Sequence, residues 1–353
     1  NFTTATDSNN TAVGFQAGTA VTTGGSNTLV GAESGEALTD ADFNVAVGQF
    51  AIHQDTLGSR STAVGYAALN AQNFTTATNS HNTAVGYFAG TAVTTGIQNT
   101  FIGAFAGDSV QDSNNNVAVG YSSGSNITTG ASNTFIGSLV GDGTDDGSAN
   151  VAIGQGTLRG NCGDDNCAVG TNVLELCTGT NNTGLGTAAG AGITSGINNM
   201  VLGHDAGRTG SPGGNITTGN NIIALGDENI GACHIQTDWT IASDQRDKTD
   251  FTALDVGLDF VKALNPVTYK WDKRSKYGDK KADDYDLDAQ TPDGTHKEDW
   301  LDVGFKAQEV EVLEKAAGYK IADKTNLVTS LSDDGKQYGM QYNKFVPILV
   351  TIL

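Results

Sequence analysis

This sequence is short of what most compact enzymes use. Of 353 residues, only 16% are charged and 7% aromatic, and there are four prolines, three tryptophans and two methionines. An average globular chain carries about 25% charged residues. Residues 1–242 contain no lysine, and their three arginines (Arg60, Arg159, Arg208) stand against 18 acidic groups, net −15. The whole chain carries a formal −20. It therefore offers no cationic surface for phosphates, and a nucleic-acid partner is not expected. No apolar run nears the ~18 residues of a membrane helix, so no membrane insertion is expected. The opening NFTTATDSNN does not have the pattern of a signal peptide. The four cysteines (Cys162, Cys167, Cys177, Cys233) are too few for a disulfide scaffold, and their count leaves open both a single disulfide and free thiols, the latter favoured. The five histidines (His53, His81, His204, His234, His296) show no metal-ligand spacing, so neither a metal nor another cofactor is expected. The pairs Asp145/Asp146 and Asp164/Asp165 read as solvated turns.

What is abundant is glycine, with 47 copies, 40 of them before residue 243. Many close a repeated word, NTAVG and its variants. These words end at Gly14, Gly31, Gly48, Gly65, Gly86, Gly103, Gly120, Gly137, Gly154, Gly170, Gly186 and Gly203, with a last imperfect copy at Gly226. The spacing is 17 residues, apart from one interval of 21, two of 16 and the last of 23. A longer duplication overlies it, since residues 1–24 return at 73–96 with four differences.

A fixed short period indicates a solenoid, in which each repeat buries its apolar face against its neighbours. Helical repeats need about 30 residues or more, so a 17-residue unit makes one coil of a β-solenoid. The branched residue before each glycine (Val13, Val30, Val47 and their equivalents) should stack into an apolar ladder. The asparagine four residues before the glycine should hydrogen-bond to its counterpart one rung away. With strands about 4.8 Å apart, 13 rungs make a rod roughly 60 Å long. Each rung has only two or three large apolar groups, such as Phe15, Tyr66, Tyr87, Phe105 and Tyr121. So little area barely offsets the ordering of ~17 residues. Three chains packed around a common axis would remedy this, while a monomeric solenoid with a fuller core is the alternative. The expected fold is thus mainly β: a homotrimeric β-solenoid over 1–230, a linker strand over 231–242 (CHIQTDWTI alternates), and a small α+β domain with helices over 243–353.

Residues 1–230 resemble the head repeats of trimeric adhesins, and more closely the NTAVGYxAG…TTGxxNT repeats of phage tail fibres. After residue 242 the composition changes to 16 basic and 21 acidic residues. Val256, Phe260, Val261 and Leu264 have helical spacing up to Pro266, NPVTYKW reads as a strand, and Ala307, Val310, Val312 and Leu313 indicate a second helix closing near Gly318. Three words recur in order: SDxRxKxD (Ser243, Asp244, Arg246, Lys248, Asp250), the run from Gly257 and Leu258 through Leu264, Pro266, Val267 and Tyr269 to Trp271, and Gly304 with AQEVE at 307–311. They resemble the intramolecular chaperone domain of phage endosialidases and tail fibres, an auto-cleaving serine peptidase.

That resemblance implies a Ser243–Lys248 catalytic dyad, with cleavage beside Ser243, between Ser243 and Asp244. It also implies supporting positions at Arg246, Asp250, Gln308 and Glu309, and an enzyme that acts on its own chain only. On the residues alone, Arg246 favours the neutral form of the Lys248 amine and Asp244, Asp247 and Asp250 oppose it, which leaves the balance open. Departures from the family are Lys306, where an apolar residue is usual, and the Lys- and Asp-rich insert from Lys273 to Asp299. The chain also stops at Leu353, where the family often continues into a longer helix. The functional expectation is a phage tail fibre for host attachment whose C-terminal domain guides trimerisation and then cleaves itself. Its expected partners are two identical chains, a host cell-surface receptor of glycan type and other tail proteins. Its expected place is the virion tail, after assembly in the host cytoplasm. The alternatives are a glycan-depolymerising tail spike and a bacterial trimeric surface adhesin.

Overall fold

The computed structural model describes residues 8–236, 239–280, 282 and 284–352. The chain divides into two compact units: residues 1–208 with 216–225, and residues 209–215 with 226–353. Each is described on its own.

The first unit is a β-solenoid. Thirteen strands of three residues, from Thr11–Val13 to Ile223–Leu225, form one parallel sheet in chain order. Register is strict: Thr100, Phe101 and Ile102 pair with Val117, Ala118 and Val119, and those with Thr134, Phe135 and Ile136. Alternation along a strand sends its middle residue to one face and its two flanks to the other. The middle residues (Ala46, Ala63, Ala84, Phe101, Ala118, Phe135) are fully buried inside the coil. The branched residues before the glycine stack as expected, but on the outer face: Val13 is 59% exposed, Ile102 41% and Leu185 51%.

The coil has its own core. Two further inward columns face the strand, one three residues after the repeat glycine (Ala51, Ala68, Ala89, Ala106) and one seven after it (Val21, Leu38, Val93, Val110, Ile127, Ile193). Small and large residues alternate to fill it. At Gly107, a Cβ would lie 2.4 Å from the Phe101 ring. The inner column turns polar at Asp55 and Gln72, both buried. There Gln72 Nε2 donates to Asp55 Oδ2 at 2.5 Å, and Asp55 Oδ1 accepts the N–H groups of Gly58 and Phe74. This cluster sits where Ser61 replaces the repeat asparagine and a two-residue strand pair (Gly58–Ser59 with Thr78–Asn79) is added.

The asparagine ladder is real, but most of its bonds go to backbone. Asn99 Oδ1 accepts the N–H of Asn116 at 2.9 Å, and Asn99 Nδ2 donates to Ser113 O at 2.9 Å. Amide-to-amide bonds join the pattern at four steps, from Asn133, Asn166, Asn182 and Asn199 to the preceding asparagine, at 3.1–3.2 Å. A buried backbone N–H without a partner is costly, so the side chain is drawn to it first.

The second unit contains helices α1 (Leu258–Ala263), α2 (Ala307–Ala316) and α3 (Phe345–Val350). Antiparallel pairs join Val267–Tyr269 to Asp302–Gly304, and Thr329–Leu331 to Tyr338–Met340. Its core is Val256, Phe260, Val310, Val328, Phe345 and Ile348. The linker strand over 231–242 is not formed: residues 231–236 and 239–242 have no strand, and positions 237–238 lie outside the described residues. The alternation of Ile235, Trp239 and Ile241 needs a neighbouring strand edge, and without one all three are exposed. Among the described residues, no helix is long and apolar enough to cross a membrane.

Candidate processing site

Ser243 and Lys248 are brought together by one turn of 3-10 helix, Gln245–Asp247. Asp244 caps that turn, its Oδ1 accepting the Arg246 N–H at 2.9 Å. Lys248 closes it, donating its N–H to Gln245 O. This reversal returns the Lys248 side chain to Ser243. Nζ lies 2.5 Å from Ser243 Oγ and 3.2 Å from the Ser243 carbonyl oxygen. The sequence interval of five is thus converted into hydrogen-bond contact, the first requirement of a serine–base pair.

Arg246 is directed elsewhere. Its Nε and Nη2 bond the Asp244 carboxylate at 3.1 and 2.5 Å. These side-chain bonds hold the Asp244 carboxyl below its ordinary pKa and raise that of Arg246. The guanidinium therefore serves the carboxylate that caps the turn. Asp250 has φ +55° and accepts from Thr249 Oγ1 at 3.4 Å. Gln308 and Glu309 lie exposed in the first turn of α2, and Glu309 pairs with Lys306 at 2.7 Å. Neither has a hydrogen bond to Ser243 or Lys248. Both members of the dyad are exposed, and a hollow in the second unit, lined by Asp255–Phe260 and Ala317, contains neither.

Two features were not read from sequence. Glu314 is fully buried in α2. Its carboxylate accepts the N–H groups of Val328 and Thr329 at 2.5 and 3.1 Å and the Thr329 hydroxyl. It fastens α2 to the strand Thr329–Leu331. The other is a group on the solenoid, Glu33, Glu36 and His53, whose members are set together by the rung period. All four cysteines are free thiols. Burial is the main cause that pushes the Cys162 thiol up to about 11 and raises that of Cys177.

No curated protein and no solved structure matches the chain. One family model does, over residues 243–319: the chaperone of endosialidase. The matched segment opens on Ser243, the serine that Lys248 contacts, and runs through α1 and α2, so the second unit carries a stretch similar to that chaperone.

Proposed function

We propose that the chain is a fibre protein that assembles as a homotrimer under the guidance of its C-terminal domain, then cuts that domain away beside Ser243. The observation that carries this reading is the 2.5 Å contact of Lys248 Nζ with Ser243 Oγ at the first residue of the chaperone-like segment. A neutral lysine amine accepts the hydroxyl proton while the oxygen attacks a peptide carbonyl. The proton passes to the leaving amide nitrogen, and water then hydrolyses the ester. Ser243 cannot attack its own carbonyl carbon, because Oγ, Cβ, Cα and C would close a four-membered ring. A cut between Ser243 and Asp244 therefore calls for the hydroxyl of a neighbouring copy, which ties cleavage to assembly. The chain's own hydroxyl reaches the Ala242 carbonyl through a five-membered ring instead.

Assembly has a surface to use. The outer face of the 13-stranded sheet is mostly Thr, Val, Ile and Leu, with Cys167 and Met200 among them, and the second unit leaves Trp239, Trp300, Val303, Val312 and Val346 more than 60% exposed. Burying such area is the main source of association free energy. Strict repetition also explains the need for a guide: rungs so alike can pair out of register at small cost, and a domain that aligns three chains first removes those traps. Attachment to a host glycan is supported by a column of rings in an aromatic-poor chain. Tyr66 and Tyr87 stack at 5.4 Å, Tyr87 meets Phe105 at 5.4 Å, and Phe105 meets Tyr121 at 6.1 Å. Such rings offer flat apolar faces, to which the tyrosines add polar tips.

Native mass and a denaturing gel test the reading together. A trimer that yields two fragments split beside Ser243 is expected, with one full-length band from Ser243→Ala. Fragment masses distinguish the bond before Ser243 from the bond after it. An intact wild-type trimer would remove the cleavage and leave the assembly, and a monomer would remove both.

A further inference from the structure

We propose that Glu33, Glu36 and His53 form a site for one divalent transition-metal ion, with Zn2+ the best match to its donors. The three come from two adjacent rungs. Glu36 and His53 occupy the same place, five residues after Gly31 and Gly48, and Glu33 stands two residues after Gly31. The backbone there is fixed by inter-rung bonds: Ala37 N–H donates to His53 O at 3.2 Å, and Glu33 N–H to Phe15 O at 2.7 Å. The His53 ring is held edge-on against Phe50 at 5.4 Å. The donors are thus mounted on a rigid lattice, which is what a preformed site needs.

Both carboxylates converge on one nitrogen. His53 Nε2 lies 3.0 Å from Glu36 Oε2 and 3.5 Å from Glu33 Oε2. The three donor atoms lie within 4.8 Å of one another. A single ring N–H has one proton and serves one of these carboxylates well, leaving the second negative charge beside the first. The fold shows a different solution elsewhere in the same column. Arg159 stands between Asp142 and Glu175, five residues after successive repeat glycines, and reaches them with separate nitrogens, Nε at 3.3 Å and Nη1 at 3.6 Å. At His53 there is no second N–H on that nitrogen, and among the described residues the ion pairs of Glu33 and Glu36 both go to His53.

A divalent cation at the point of convergence resolves this. It neutralises two carboxylates and takes the lone pair of a neutral imidazole. A tetrahedral centre with bonds of about 2.0–2.1 Å sets its donors roughly 3.3–3.4 Å apart, and the separations from Nε2 bracket that value. One nitrogen and two carboxylate oxygens suit Zn2+ rather than the all-oxygen shells of Ca2+ or Mg2+. All three side chains are about one quarter to one third exposed, which leaves the fourth position open to water.

Zn2+ titration of the full-length protein by calorimetry tests this, after chelator treatment, with Cys167→Ser and Cys233→Ser removing the exposed thiols. One ion per chain is expected, with the isotherm lost in His53→Ala and in a Glu33→Gln/Glu36→Gln double variant. Co2+ in place of Zn2+ should give the visible bands of a tetrahedral centre, also lost with His53→Ala. Far-UV circular dichroism of each variant, matched to the parent, excludes misfolding as the cause of a loss, and His53→Gln supplies a second, conservative variant. Absence of Zn2+ binding to the parent would overturn the proposal. So would an isotherm unchanged by removing His53, or a Ca2+ isotherm that matches the Zn2+ one.

Discussion

Asn116 Oδ1 accepts the backbone N–H of Asn133, 17 residues on, at 3.0 Å, and Asn116 Nδ2 donates to Gly130 O at 2.9 Å. One buried amide therefore satisfies the backbone on both sides of a turn. Asn116→Ala leaves a donor and an acceptor buried without partners, at about 1–3 kcal/mol for each such group. The equivalent change at Asn10, which is half-buried in the first described rung, removes fewer shared bonds and should cost less. Denaturant midpoints of the two variants should fall in that order. An equal fall would mean that the ladder is not the unit of stability.

The glycine that ends each word is held by backbone geometry. Gly120 has φ +132°, and a Cβ there would lie 2.2 Å from the carbonyl oxygen of Gly137. Gly120→Ala adds strain in a region that side chains rarely adopt to a clash with an immovable backbone atom, so a loss of several kcal/mol is expected. Gly231→Ala meets nothing within 4 Å and has no positive φ. Soluble yield and thermal midpoint should collapse for the first variant and stay near the parent for the second.

The rung, its period and its glycine turn are legible in the sequence because they follow from repetition and from backbone limits. The inner face is less so. In Thr83-Ala84-Val85 both the alanine and the valine are apolar, and only coil closure decides that Ala84 turns in and Val85 out. The fuller inner core stands in the sequence only as an alternative, since its two further columns fall outside the repeated word. Residues 233–241 alternate in sequence, but without a partner edge the described residues of that stretch make no strand. The pairing of Ser243 with Lys248 is implied by the resemblance of the SDxRxKxD word and not by spacing alone, while the direction of Arg246 toward Asp244 depends on the capping geometry of one short turn. The grouping of Glu33, Glu36 and His53 escapes any linear motif, because its donors are related by the rung period.

Thiol chemistry should separate the cysteines into two classes. Cys162 and Cys177 are buried, and burial raises both thiols, Cys162 to about 11 from an ordinary 9.0. The thiolate is the reactive form, so at pH 8 the folded protein should alkylate at the exposed Cys167 and Cys233 only. The raised value also carries a sign for stability. The neutral Cys162 thiol is tolerated in full below about pH 9, and its contribution is lost as pH rises through about 11. Peptide mapping after alkylation at pH 8, with and without denaturant, checks the first point. Labelling of Cys162 in the folded protein would contradict its burial.

Glu314 gives the second unit a test of its own. Its carboxylate is fully buried, yet it is matched by two backbone N–H groups and a hydroxyl from Val328 and Thr329. Breaking a buried, fully bonded acceptor leaves its donors unsatisfied, at about 1–3 kcal/mol each. Glu314→Ala should therefore loosen α2 from the strand Thr329–Leu331 and lower the thermal midpoint of this unit. Glu314→Gln keeps an acceptor oxygen but sets an amide N–H₂ against those donors, so it should recover only part of the loss. Glu309→Ala, in an exposed pair with Lys306, should change little, since surface pairs contribute about 0–1 kcal/mol. Amide exchange at Val328 and Thr329 reads the effect locally: both should exchange faster in Glu314→Ala and at the parental rate in Glu309→Ala. Unchanged protection in Glu314→Ala would show that the apolar contacts of Val310 and Val328, and not the buried carboxylate, hold that helix in place.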